Sequence, residues 1–189
     1  MKIQRAVAVS AGAVAVLWIV RLADVVLPAD LRAYGVRPRL WDGLWGVLWM
    51  PWLHGSWAHL AANTGALFFL LFISLLMGGT LTLLALAIIL FGGGGFVWLF
   101  GAQGTVHIGA SGVIFGLIGF LSFAGIFRRD WKALVASVFV LVLYGAVLFS
   151  LFEREQGVSW AGHFYGFVSG VGAAWVTRGL GKGGKMPAT

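Results

Sequence analysis

Polar residues interrupt the 189-residue chain at uneven intervals, and long apolar runs fill the space between them. The first run extends from Ala6 to Leu27, behind the short basic start Met1-Lys2-Ile3-Gln4-Arg5. Further runs predict helices at about 57–77, 81–100, 110–127, 133–152 and 159–176. Each approaches the ~20 apolar residues that a helix needs to cross a bilayer. The first run has some features of a signal peptide. It is long for one, however, and no small-x-small cleavage pattern follows it. It also carries Arg21 and Asp24 at i and i+3, so it reads as a retained span ending near an interface.

The connections divide into two kinds. The longest, 28–56, holds Pro28, Asp30, Arg32, Arg37, Pro38, Arg39 and Asp42 and becomes aromatic through Trp41, Trp45, Trp49 and Trp52, up to Trp57. Trp prefers the membrane–water interface, which predicts a loop lying in that interface. The others are short: a tight turn at Gly78-Gly79-Thr80, a loop over Gly101 to Gly109, a basic turn Arg128-Arg129-Asp130-Trp131-Lys132 and an acidic turn Glu153-Arg154-Glu155-Gln156-Gly157. The glycines Gly92 to Gly95 fall inside the third run, where a membrane helix can use them for close backbone approach.

Composition narrows the class. Hydrophobic residues make up 60% of the chain, glycines number 29, and only 10% of residues are charged, against ~25% in soluble domains. So few polar groups cannot cover a soluble surface. This excludes an ordinary cytosolic enzyme, a disordered chain and a nucleic-acid binder. The fold class expected is all-α: a polytopic membrane protein forming one domain over 1–189, with six transmembrane helices and a basic tail at 177–189. The net charge of +7 then reads as topology. The N-terminus, the turn after span four and the tail hold eight Lys/Arg and one acid. The long loop and the acidic turn hold four Arg and four acids. The positive-inside rule places both termini in the cytoplasm. With no cysteine, there is no disulfide, thiolate zinc site or cysteine nucleophile.

Polar side chains near the outer ends of the spans carry the candidate chemistry. His54, His59, His107 and His163 all fall on that side. Asn63, the one asparagine of the chain, is at i+4 from His59 and shares its helical face. Span four opens with Gly109-Ala110-Ser111-Gly112, and span six carries Gly162-His163-Phe164-Tyr165-Gly166. A serine needs an adjacent base to act as a nucleophile, and imidazole is the usual one. Gly112 with Gly116, and Gly166 with Gly170, are small-xxx-small spacings that allow spans four and six to cross closely. His59, Asn63 and the Ser111 N–H are candidate donors to an oxyanion, and Gly109 frees the backbone before Ser111. No carboxylate accompanies His163, so a Ser–His dyad fits better than a triad. Zinc bound by histidines is a weaker reading, because no HExxH pattern occurs and no acid neighbours them. His54 and His107 read as loop or supporting residues.

These pieces resemble the rhomboid family of intramembrane serine proteases. His59-Leu60-Ala61-Ala62-Asn63 is similar to its HxxxN, Gly109-Ala110-Ser111-Gly112 to its GxSG, and His163-Phe164-Tyr165-Gly166 to its HxxG. They lie in spans two, four and six, in the family's order. His54 matches a family histidine five residues before the HxxxN. The resemblance implies that Ser111 is the nucleophile and His163 the base. It makes His59, Asn63 and the Ser111 amide the oxyanion hole, with Gly109, Gly112, Phe115, Gly166 and His54 supporting. Phe115 stands where many members have a tyrosine that stacks on the histidine. Trp45 is followed by Gly46 where many have arginine, and Gly162 replaces a frequent alanine. The implied substrates are single-span membrane proteins, which enter laterally from the lipid bilayer of the cell membrane. No cofactor and no metal are expected. The first loop is half-embedded in this reading, and the turn before span six caps the site. Oligomeric state is left open. The rival within the family is a catalytically silent protein that binds membrane clients. A small transporter would need paired ionisable residues at the midplane and internal repeats, which are not evident.

Overall fold

The computed structural model describes residues 2–151 and 159–180. The acidic turn at 153–157, Phe152 at the end of the expected fifth span, and the tail lysines Lys182 and Lys185 lie outside the described residues. Helices dominate: α1 (Ile3–Val26), α2 (Gly46–Trp49), α3 (Trp57–Met77), α4 (Gly79–Ile88), α5 (Gly94–Phe100), α6 (Ser111–Arg128), α7 (Trp131–Tyr144) and α8 (Trp160–Val176). A π turn at Ile89–Gly93 joins α4 to α5, so Gly79–Phe100 runs as one apolar helical unit. That unit, α1, α3 and α6 are each long and apolar enough to cross a membrane. Among the described residues the extended structure is limited to one antiparallel bridge, Val36 to His107.

Burial identifies the centre. The apolar window of α6 is 72% buried and that of α1 only 17%. α6 is therefore the core helix, wrapped by α3, α4, α7 and α8, while α1 lies outside against α3. Phe120, Leu117, Ile118 and Leu121 of α6 are fully buried with Leu60 and Leu70 of α3 and Ile89. The tightest crossing is α6 against α8, and glycine is what permits it. A Cβ on Gly166 would land on the Gly112 carbonyl, and one on Gly170 on the Gly116 carbonyl. Without those atoms the backbones meet directly, and van der Waals packing, the main attraction between helices in lipid, is maximised. The π turn contributes from the other side: the Cβ position of Gly93 is 3.2 Å from Gly166 Cα. Of the four consecutive glycines, Gly92, Gly93 and Gly94 each face a neighbouring chain segment and Gly95 faces none.

Two expectations change in detail. The turn at Gly78-Gly79-Thr80 reduces to Gly78, whose φ of +154° breaks the helix. α4 restarts at once, because Thr82 Oγ1 donates to the Gly78 carbonyl and pairs with Ser74 Oγ across the break at 2.9 Å. The expected span to 152 is α-helical only to Tyr144. At Gly145 the helix gives way to a 3₁₀ turn, Ala146–Leu151, whose last carbonyl accepts from the Trp160 indole. As a helix of 14 residues, α7 is about 21 Å long at 1.5 Å per residue. It is clamped to α6 through Ser137, which donates to the Leu121 carbonyl and accepts from the Gly125 N–H.

The first loop is anchored to α5. Arg39 N–H donates to the Trp98 carbonyl at 2.9 Å, and the Trp98 indole donates to the Leu40 carbonyl at 2.8 Å. Arg37 pairs with Asp42, and Arg21 with Asp24. Trp41, Trp45 and Trp49 remain exposed.

Candidate active site

Ser56 caps α3 by accepting from the His59 N–H at 3.1 Å, a typical N-cap contact. That sets His59 on the first turn, with Asn63 one turn further along the same face. His54, just upstream, is buried, and its Nδ1 lies 3.3 Å from the Trp52 carbonyl. A carbonyl only accepts, so Nδ1 carries the proton and Nε2 is the acceptor. Nε2 then receives Asn63 Nδ2 at 3.1 Å and, at longer range, the Ala110 N–H at 3.5 Å. The Asn63 amide orientation follows from this chain. One of its N–H bonds is held by His54, and the other is left for the site.

Burial, followed by the nearby His59 imidazole, pushes His54 down to about 4, against the opposing Trp52 carbonyl. The unfolded chain binds this proton near 6.5 and the folded chain only near 4, so the unfolded state holds more protons between those values. The stability from neutral His54 is therefore full above about pH 6.5 and is lost as pH falls towards 4. Burial also holds His107 below its ordinary range, adding an effect of the same sign. We expect His54→Phe to weaken the fall in melting temperature between about pH 7 and pH 4. An identical fall in the variant, followed by thermal unfolding in detergent, would contradict this account.

Gly109 shapes the entry to α6. Its φ is +112°, where glycine alone sits without strain, and its N–H donates to the Met50 carbonyl at 2.8 Å. A Cβ there would lie 2.8 Å from His59 Cε1 and 3.6 Å from Ser111 Oγ. One glycine thus lies between the His59 ring and the Ser111 hydroxyl. Ser111 is the first residue of α6, so its N–H has no partner within the helix.

α8 brings the second half. Ser159 is its N-cap, and the His163 N–H donates to the Ser159 carbonyl at 3.1 Å. The His163 ring stacks on Phe115 with centroids 4.2 Å apart and planes 17° from parallel. The Cβ position of Gly112 is 3.3 Å from the Gly162 carbonyl. Ser111 and His163 are therefore the chain neighbours of two residues in direct contact. No hydrogen bond joins Ser111 Oγ to His163, and among the described residues His163 Nδ1 is buried without a partner. Among the described residues no group of His, Asp or Glu gathers as a metal site.

The nine residues of the implied site fall into two groups. His54, His59, Asn63, Gly109 and Ser111 gather around the start of α6, and Gly112 and Phe115 of α6 meet Gly166 and His163 of α8. An open cavity of about 270 Å³ with a mixed polar and apolar lining adjoins the first group between His59, Thr105, His107, Ile108 and Ser159. A larger apolar cleft of about 540 Å³, between α1 and the first loop, is lined by Val16, Val20 and Trp52 among others and includes none of the nine. His107 also pairs with Ser159, a link that the sequence does not show because the two residues are 52 positions apart.

Comparison with known proteins adds two findings. The family model described as Rhomboid domain matches residues 42–180. The chain is 43% identical over 171 residues to an uncharacterized protein of Mycobacterium tuberculosis, an alignment covering 86% of this chain and 71% of the relative. It is 40% identical over 171 residues to one of Mycobacterium leprae, covering 86% and 67%.

Proposed function

The chain belongs to the rhomboid family of multi-pass membrane proteins, and on that premise we propose that it is an intramembrane serine endopeptidase acting through a Ser111–His163 dyad. The observation that supports this reading is the α6–α8 crossing, where the Cβ position of Gly112, next to Ser111, is 3.3 Å from the carbonyl of Gly162, next to His163. His163 Nε2 takes the proton as Ser111 Oγ attacks the scissile carbonyl. The second Asn63 N–H, the His59 ring and the Ser111 N–H converge on the oxyanion. Collapse breaks the C–N bond, and His163 returns its proton to the leaving amine. Water, deprotonated by His163, then hydrolyses the acyl-enzyme and restores both groups.

The substrates proposed are single-span membrane proteins, entering from the bilayer of the plasma membrane. The chain spans six times in this reading, with both termini cytoplasmic and the histidine end outside. The exposed Trp41, Trp45 and Trp49 support a half-embedded first loop, because indole is favoured at the interface. A catalytically silent member that binds membrane clients is the second reading. The absent Ser111–His163 hydrogen bond is the observation in its favour. Catalytic hydrogen bonds, however, commonly tighten only with substrate bound.

The test is cleavage of a single-span substrate in proteoliposomes, with fragments identified by mass. Two fragments from a cut in or near the span are expected. Asn63→Ala should slow their release about 10²-fold, the usual effect of losing one oxyanion donor. An intact substrate would overturn the proposal, and an unchanged rate in Asn63→Ala would remove that residue from the oxyanion hole.

A further inference from the structure

A second histidine–serine pair lies outside the dyad. His107 Nδ1 is 2.6 Å from Ser159 Oγ, and His107 Nε2 is 2.9 Å from Thr105 Oγ1. Thr105 Oγ1 donates to the Ala102 carbonyl at 2.6 Å, so its one hydrogen is committed. It can only accept from His107, which places the imidazole proton on Nε2. Nδ1 is then a lone pair, and Ser159 Oγ–H donates to it. With its hydrogen so directed, Ser159 Oγ presents its own lone pairs to α8 and accepts from the Gly162 N–H at 3.0 Å. The same residue's carbonyl accepts from the His163 N–H.

His107 is itself rigidly mounted. Its backbone exchanges two hydrogen bonds with Val36 of the first loop, at 2.9 and 3.0 Å, and Val36 is fully buried. A path of hydrogen bonds therefore runs from the first loop through His107 and Ser159 to the backbone of the first turn of α8.

We infer that His107 is a positioning residue for His163: it orients the Ser159 cap, and the cap fixes the depth and rotation at which α8 presents its imidazole to Ser111. The inference rests on the dyad reading for its effect on catalysis, but the link itself is a structural claim that can be measured alone. Neither His107 nor Ser159 touches the Ser111–His163 pair through a hydrogen bond of its own side chain. Their influence passes through the α8 backbone.

The two amide replacements of histidine separate the roles of its nitrogens. In His107→Asn the side-chain oxygen can stand where Nδ1 stood and still accept from Ser159. In His107→Gln the amide reaches the Nε2 position and keeps the Thr105 contact, but Ser159 loses its acceptor. In the full-length protein in detergent, amide exchange at Gly162 and His163 should rise about tenfold in the Gln variant, the order of one weakened hydrogen bond, and stay near wild type in the Asn variant. Turnover of a single-span substrate should follow the same order, with kcat falling in the Gln variant and KM unchanged. Imidazole ¹⁵N spectra of the unaltered protein should report His107 as the Nε2–H tautomer. An Nδ1–H tautomer, unchanged exchange in His107→Gln, or equal losses in Gln and Asn variants would each overturn the inference. An unaltered protein that never reacts with a serine-directed probe would defeat the dyad instead, while the exchange and tautomer measurements still decide the role of His107.

Discussion

Ser111→Ala should abolish cleavage of a single-span substrate, a loss of at least about 10³-fold, because nothing else in the site can form the acyl bond. The same variant should stay folded. Among the described residues Ser111 Oγ has no hydrogen-bond partner, so its removal strands no described donor or acceptor. Loss of one such hydroxyl from a buried residue should change stability by no more than about 0.5 kcal/mol. His163→Ala should behave differently. It also abolishes turnover, but it removes the ring stacked on Phe115 and leaves a void beside α6, so its melting temperature should fall as well. Turnover with thermal unfolding of both variants in detergent checks the pair. Ser111→Ala that still cleaves would remove the serine mechanism.

The second large effect lies away from the reacting atoms. In Gly166→Val the new Cβ is directed at the Gly112 carbonyl, a backbone atom that cannot swing aside as a side-chain tip could. α8 must shift, at an overpacking cost of about 1–3 kcal/mol. His163 lies one turn away on the same helix, so turnover should be lost together with stability. Gly172→Ala is the control. It sits on α8, but among the described residues nothing beyond its chain neighbours and its own helix backbone lies within 4 Å of the added methyl, and alanine is the better helix former. It should be neutral or slightly stabilising and fully active. Wild-type stability and turnover in Gly166→Val would contradict the picture of a glycine-mediated crossing.

Much of this arrangement can be read along the chain. Apolar runs of spanning length predict helices that α1, α3, the Gly79–Phe100 unit and α6 match within a few residues, because in lipid the backbone has few alternatives to a helix. The i, i+4 spacing of His59 and Asn63 places them on one face of α3. The glycine spacings of spans four and six anticipate the Gly112–Gly166 and Gly116–Gly170 contacts. The tertiary wiring is less legible. Nothing local shows that His54 holds the Asn63 amide through Nε2, because the tautomer depends on where the Trp52 carbonyl points. The Met50 carbonyl that ties down Gly109 and the Val36 bridge that mounts His107 come from the irregular first loop, where hydropathy carries no register. α7 is shorter than its apolar run, since hydropathy does not reveal that Gly145 ends its regular part.

The most direct test of the account is labelling with a fluorophosphonate in detergent, read by intact mass, on the wild-type protein, Ser111→Ala and His163→Ala. One adduct is expected on the wild type, located at Ser111, and none on either variant, because an unassisted serine hydroxyl is too weak a nucleophile to react. A folded wild type that takes no label and leaves a single-span substrate intact would contradict it.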